Sequence, residues 1–187
     1  MGVVTRRSGT PTRRAAKGVH AAQVRGERPV ACAVLTVSDT RRGADDASGA
    51  LAERLITRAG HRVVARGWSP DETLALQRSA RVLLARVDLD ALIVTGGTGV
   101  APRDVTPEAF EPLWDRRLPG FGELFRHYSM REVGAAAWLS RAEAGIARGR
   151  LVVLLPGSQS AVRLGLERVL LPELPHVIRM LGRIRTT

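Results

Sequence analysis

Asp71 and Asp104 stand where apolar runs give way to turn-forming residues, one within Ser69-Pro70-Asp71-Glu72 and the other after Gly96-Gly97-Thr98-Gly99 and Arg103. Carboxylates so placed suit Mg2+, a hard cation that takes one or two protein carboxylates together with substrate phosphates and water. Consecutive glycines at a strand end let main-chain N–H groups approach an anion with no Cβ in the way. A second glycine turn, Pro156-Gly157-Ser158, repeats the pattern. Together these residue types point to a phosphoryl-handling site. Taken singly, Asp71 also suits a helix-dipole partner, Asp104 a cap on Thr106, and Gly-Gly a plain tight turn.

Other chemistries lack their residues. No Gly-x-x-x-x-Gly-Lys-Ser/Thr is present, and Gly97-x-Gly99 is not followed by the third glycine of a dinucleotide fingerprint. Ser38, Ser48, Ser140 and Ser158 lie near turns but in no nucleophile elbow, and the four histidines show neither triad nor zinc spacing.

The elements that must position the two acids can be read from periodicity. Val30 to Val37, Asp90 to Thr95 and Leu151 to Leu155 are continuous aliphatic runs of the kind buried on both faces of a parallel sheet. His61 to Gly67 reads as another strand. Helical spacing follows Asp46 or Ser48 as far as Gly60, and Ser69-Pro70-Asp71-Glu72 reads as the cap and first turn of a helix ending near Arg86. Thr106-Pro107-Glu108 opens a short helix toward Trp114, Pro119-Gly120-Phe121-Gly122 is a turn before a helix over 123–130, and 160–170 and 174–181 are the last helices. Alternating strands and helices predict a three-layer α/β/α domain with a mostly parallel sheet. Ligands in such sheets bind beyond the carboxyl ends of the strands, so the turns at Ser38-Asp39, Asp71, Gly96–Gly99 and Pro156–Ser158 are expected to converge on one crevice.

With 187 residues and 44% hydrophobic content the chain can build one substantial core without disulfides, and the single Cys32 reads as a small core hydrophobe. No apolar stretch approaches the roughly 20 residues that cross a bilayer, and no hydrophobic segment follows the N-terminal charges, so a cytoplasmic setting with no membrane contact is expected. Residues 1–28 carry seven basic side chains against Glu27 alone, more than half of the net charge of +11. They are expected to form a disordered tail, with the folded domain over 29–187. With only 4% aromatics, the body offers no basic face interleaved with stacking rings, so nucleic acid is not an expected partner. Trp114, Phe121, Phe125 and Trp138 are candidates for subunit contacts or for the core.

Taken in order, Thr36-Val37-Ser38-Asp39, Asp46-Ala47-Ser48-Gly49, Pro70-Asp71-Glu72, Thr95-Gly96-Gly97-Thr98-Gly99, Arg103-Asp104-Val105-Thr106-Pro107-Glu108-Ala109, Pro119-Gly120-Phe121-Gly122, Leu139-Ser140-Arg141-Ala142 and Leu155-Pro156-Gly157-Ser158 resemble the MogA/MoaB family of molybdenum-cofactor biosynthesis proteins. The likeness spans about residues 30–182, and the Arg103–Ala109 and Phe121–Arg126 stretches look closer to the MoaB branch. The resemblance implies a molybdopterin-binding α/β/α subunit that assembles as a homotrimer or trimer-based hexamer. In active members, Mg2+ and ATP adenylylate molybdopterin, giving adenylyl-molybdopterin and pyrophosphate. A later molybdenum-insertion enzyme is the implied partner. The resemblance places Asp71 and Asp104 on the two acids implicated in catalysis and metal binding, and Gly96, Gly97, Thr98 and Gly99 on the phosphate and pterin loop. It sets Ser38, Asp39, Asp46, Ser48, Gly49, Ser140, Arg141, Pro156, Gly157 and Ser158 around the ligand crevice. The second function compatible with it is pterin binding and presentation without turnover.

Overall fold

The computed structural model describes residues 28–40 and 45–183, so the expected tail lies outside the described residues except for Arg28. The aliphatic runs form the centre of one six-stranded sheet: β1 (Ala31–Val37), β3 (Ala91–Thr95) and β6 (Arg150–Leu155). Outside β1 lies β2 (Arg62–Ser69), and outside β6 lie β5 (Glu143–Ala147) and β4 (Arg116–Arg117), giving the order β2-β1-β3-β6-β5-β4. The first four strands are parallel, and β5 and β4 each run antiparallel to their inner neighbour.

Successive β1 side chains face opposite sides, which builds two cores. Cys32 and Val34 join Leu51 and Ile56 of α1 (Ala47–Arg58), Phe125 of α4 (Pro119–Val133) and Ile178 of α6 (Leu174–Met180). Ala33, Leu35 and Val37 join Leu76 and Leu84 of α2 (Thr73–Leu84) and Phe110 of α3 (Thr106–Phe110). Helix α5 (Gln159–Leu164) runs into a π-helical turn over Gly165–Leu170 beside the first core. The result is the expected three-layer α/β/α fold. Burial pushes the Cys32 thiol up to about 12, which makes it the inert core residue expected. No helix among the described residues is long and apolar enough to cross a membrane.

Several boundaries differ from the reading of the sequence. Ser69 is the buried last residue of β2 rather than a helix cap, and α2 begins at Thr73, so Asp71 sits on a turn and is not a first-turn dipole partner. Helix α4 starts at Pro119, because proline at its first position fixes helical φ and the two following glycines do not break the turn. The short edge strands β4 and β5 were not anticipated: Arg116-Arg117 is too brief to alternate, and Glu143–Ala147 is nearly all small residues. Phe125 is core, Phe121 and Trp114 pack at its margin, and Trp138 stands 74% exposed.

Arg28 belongs to the domain, not to the tail. Asp90, 1% exposed at the start of β3, accepts hydrogen bonds from Arg28 (2.7 and 2.9 Å), the Ala31 N–H (2.9 Å) and Arg183 Nε (3.1 Å), tying both ends of the described domain to the sheet. Burial pushes its carboxyl up, but these hydrogen bonds outweigh it and hold it below the usual range. A carboxyl depressed on folding stabilises the fold at pH above its unfolded value, and that stability is lost as pH falls through the folded value. Asp90→Asn is therefore expected to cost roughly 2–4 kcal/mol at pH 7 in urea unfolding, the gap from wild type closing below about pH 3.9.

Candidate active site

The chain leaves β1 for β2 on one side and later returns to place β3 on the other, so the carboxyl ends of β1 and β3 flank a topological switch point. Neighbouring strand ends are joined there. Ser38 N donates to Ser69 O at 3.0 Å, Gly96 N to Leu155 O at 2.9 Å, and Ser48 Oγ to Gly157 O at 2.6 Å. The four turns thus meet as expected, and a Cβ on Gly157 would lie 3.3 Å from the Gly96 Cα.

Both acids lie against the glycine loop. Gly97 adopts φ +65°, and a Cβ there would overlap the Thr106 hydroxyl and stand 2.8 Å from Asp71 Oδ1. A Cβ on Gly99 would stand 2.7 Å from Asp104 Oδ2. Glycine is what lets the two carboxylates close on the loop from either side. Asp104 does not cap Thr106: its Oδ2 accepts the Ala101 N–H at 2.9 Å, while Thr106 secures the loop through N–H to Gly97 O (3.0 Å) and Oγ1 to Gly96 O (2.9 Å). Because the Gly96 N–H continues the ladder to β6, Gly97, Thr98 and Gly99 are the loop residues left to offer N–H groups to an anion.

Asp39 completes the cluster by accepting the Asp71 N–H at 3.2 Å and pairing with Arg103, which is 72% exposed on the far lip. Burial raises the Asp71 carboxyl, the charges of Asp39 and Asp104 raise it further, and Arg103 opposes them. Asp39 and Asp104 each repel the Asp71 carboxylate, a repulsion that a divalent cation would relieve. Among the described residues no three His, Cys, Asp or Glu side chains form a metal cage of their own. That donor set fits Mg2+ brought with a phosphate ligand better than a resident structural ion. Thr98, 1% exposed within the loop, has a buried hydroxyl with no partner among the described residues.

Some expected ligand residues have other work. Asp46, 5% exposed, caps α1 by accepting the Gly49 N–H at 2.8 Å, takes the Thr36 hydroxyl at 2.7 Å and pairs with Arg66. Its carboxylate is thus engaged by the protein's own donors, and Gly49 beside it leaves no room for a Cβ. Ser158 caps α5 by accepting the Ala161 N–H at 3.2 Å, and Ser140 Oγ accepts the Ala142 N–H at 3.3 Å. Gly157 packs directly against the Gly96 backbone, and Pro156 precedes it at the end of β6. Arg66, Thr36 and Glu108 were missed, since nothing in their spacing shows that they support Asp46 or Arg141.

A family model described as a probable molybdopterin binding domain matches residues 33–176, across the sheet, both acids and both glycine turns. The chain belongs to that family. Relatives named molybdenum cofactor biosynthesis protein B agree: that of Halalkalibacterium halodurans is 45% identical over 160 residues, covering 84% of this chain and 94% of its own. That of Bacillus subtilis is 46% identical over 151 residues, covering 80% and 89%. A crystal structure of a molybdenum cofactor biosynthesis protein B superposes with TM-score 0.80 at 40% identity, covering 83% of this chain and 97% of that one. The tungsten cofactor synthesizing protein MoaB of Pyrococcus furiosus gives 0.70 at 36% identity, covering 83% and 98%. A structure of MogA gives 0.71 at 28%, covering 81% and 99%. This molybdopterin-binding family member therefore shares the MoaB and MogA fold over nearly their whole length.

Proposed function

We propose that this protein adenylylates molybdopterin with ATP and Mg2+ in molybdenum-cofactor biosynthesis. The observation that carries the reading is the closure of Asp71 and Asp104 on one glycine loop at the switch point, with Asp39 and Arg103 beside them. In the reaction a terminal phosphate oxygen of molybdopterin bonds to the α-phosphorus of ATP, and the bond from that phosphorus to the bridging oxygen breaks, releasing pyrophosphate. No side-chain nucleophile is needed, which agrees with a site built of acids, an arginine and main-chain groups. Asp71 and Asp104 would hold Mg2+, which would neutralise phosphate charge. Gly97 to Gly99 cradle a phosphate, and Arg103 can turn from Asp39 to the departing anion. Fixing two anionic partners in line supplies much of the rate in such a transfer. The exposed Met130, Val133, Trp138 and Leu139 form the surface this reading assigns to contacts in a homotrimer or trimer-based hexamer, which passes its product to a molybdenum-insertion enzyme.

Incubating the purified chain with molybdopterin, ATP and Mg2+ is expected to release pyrophosphate in step with pterin consumed, and to release none when any one component is omitted. Pterin binding without pyrophosphate would instead mark a protein that presents the pterin without turnover.

A further inference from the structure

Arg141, expected from the sequence to line the ligand crevice, spends its donors on the protein. Its main-chain N–H donates to Thr98 O at 2.9 Å, its Nε to Gly99 O at 2.7 Å and one terminal nitrogen to Asp104 O at 2.5 Å, while the other terminal nitrogen pairs with Glu108. These partners are the two ends of one excursion of the chain. Gly99 closes the glycine turn, Asp104 carries the acid, and the residues between them are largely exposed. Inside the excursion, Asp104 N donates to Ala101 O and Ala101 N to Asp104 Oδ2, both at 2.9 Å, which makes a small closed ring. One guanidinium fastens the excursion at both ends, and the planar fork fixes direction as well as distance.

Arg141 is braced in turn. Arg126 on α4 donates to Ser140 O at 3.2 Å and Ala142 O at 3.3 Å, gripping the chain on either side of it, and at Gly122 a Cβ would overlap the Ala142 carbonyl. Arg141 also lines two hollows. One, of about 440 Å3, is lined by Val100, Pro102 and Asp104, and the other, of about 340 Å3, by Arg117, Arg126 and Glu143.

We propose that Arg141, oriented by Glu108, is a positioning residue that fixes Gly99 and Asp104 relative to Asp71 and makes no contact with the ligands. The kinetic part of this inference rests on the adenylylation reading; the structural part does not. Hydrogen exchange of the full, ligand-free chain tests the latter. Arg141→Ala is expected to speed exchange at residues 99–106 about tenfold, with the amides of β1 and β3 unchanged. Arg141→Lys and Glu108→Gln, which keep most of the packing, show smaller increases at the same amides and carry the comparison if the alanine variant does not fold. In pyrophosphate release, Arg141→Ala lowers kcat about 100-fold because the acid is misplaced, while KM for ATP and for molybdopterin stays within about threefold. Unchanged exchange together with a KM raised tenfold or more would make Arg141 a ligand contact and overturn the proposal. Faster exchange in the variants of a wild-type protein that releases no pyrophosphate would uphold the clamp and sink the adenylylation reading alone.

Discussion

Asp71→Asn and Asp104→Asn are each expected to lower pyrophosphate release by about 10²–10³-fold, the usual cost of removing one preorganised electrostatic group, while molybdopterin binding persists. Each change nearly keeps the side chain's shape beside the glycine loop while removing its charge and turning one acceptor oxygen into an NH2 donor. The stability of the two variants is what separates this outcome from simple damage. The Asp71 carboxyl is raised by burial and by Asp39 and Asp104. An acid raised on folding costs stability once pH exceeds its unfolded value, because the folded state resists the ionisation that the unfolded chain permits. Asp71→Asn is therefore expected to unfold at or above the wild-type urea midpoint at pH 7 while losing activity. The same shift makes cation binding depend on pH: in the metal-free protein the Asp71 carboxyl takes up its proton above the ordinary aspartate range, so Mg2+ affinity is expected to fall as pH drops through that range. A variant that keeps full activity, or that loses activity only by unfolding, would remove Asp71 from the proposed role.

How far the sequence alone could go is clear from particular residues. Val30–Val37, Asp90–Thr95 and Leu151–Leu155 were legible because parallel strands buried on both faces need continuous aliphatic runs. Their central places in the sheet followed from the same property. Convergence of the turns after them was legible for a topological reason, as parallel strands present their carboxyl ends to one side. The edge strands β4 and β5 were not, since pairing at an edge is decided by the neighbouring strand and not by local periodicity.

The site divides in the same way. Asp71, Asp104 and the glycines could be found because their types name their chemistry. What could not be read was how each polar side chain spends its hydrogen bonds. Asp46 and Arg141 resemble ligand residues in type and position, yet their partners prove to be a helix start and two loop carbonyls. Those partners are far away in sequence for Arg141, so only the fold discloses them. The Ser-Pro-Asp-Glu turn misled for the opposite reason: it carries a complete helix-start signal locally, but pairing with β1 extends β2 through Ser69 and delays the helix to Thr73.

Gly96→Ala is the substitution expected to harm the fold most for its size. Gly96 adopts φ +111°, outside the region open to L side chains, and a Cβ there would overlap the carbonyl oxygen of Val37 and lie 3.3 Å from the Val37 Cβ. The obstacle is the backbone of a central strand, which cannot swing aside as a side chain can. Backbone strain and overpacking together are expected to cost about 3–5 kcal/mol, a large share of the stability of an ordinary domain. Gly60→Ala is the matched control: its φ is +85°, but nothing lies within 4 Å of the added Cβ, so only conformational strain of about 1 kcal/mol remains. Urea unfolding of the two variants separates crowding from strain, and equal losses would show that the approach of the loop to β1 is not what the glycine serves. Relief of the overlap requires the end of β1 to part from the end of β3. Asp39 follows the first and Asp104 the second, so residual folded Gly96→Ala is also expected to lose adenylylation, because the acids no longer share one loop.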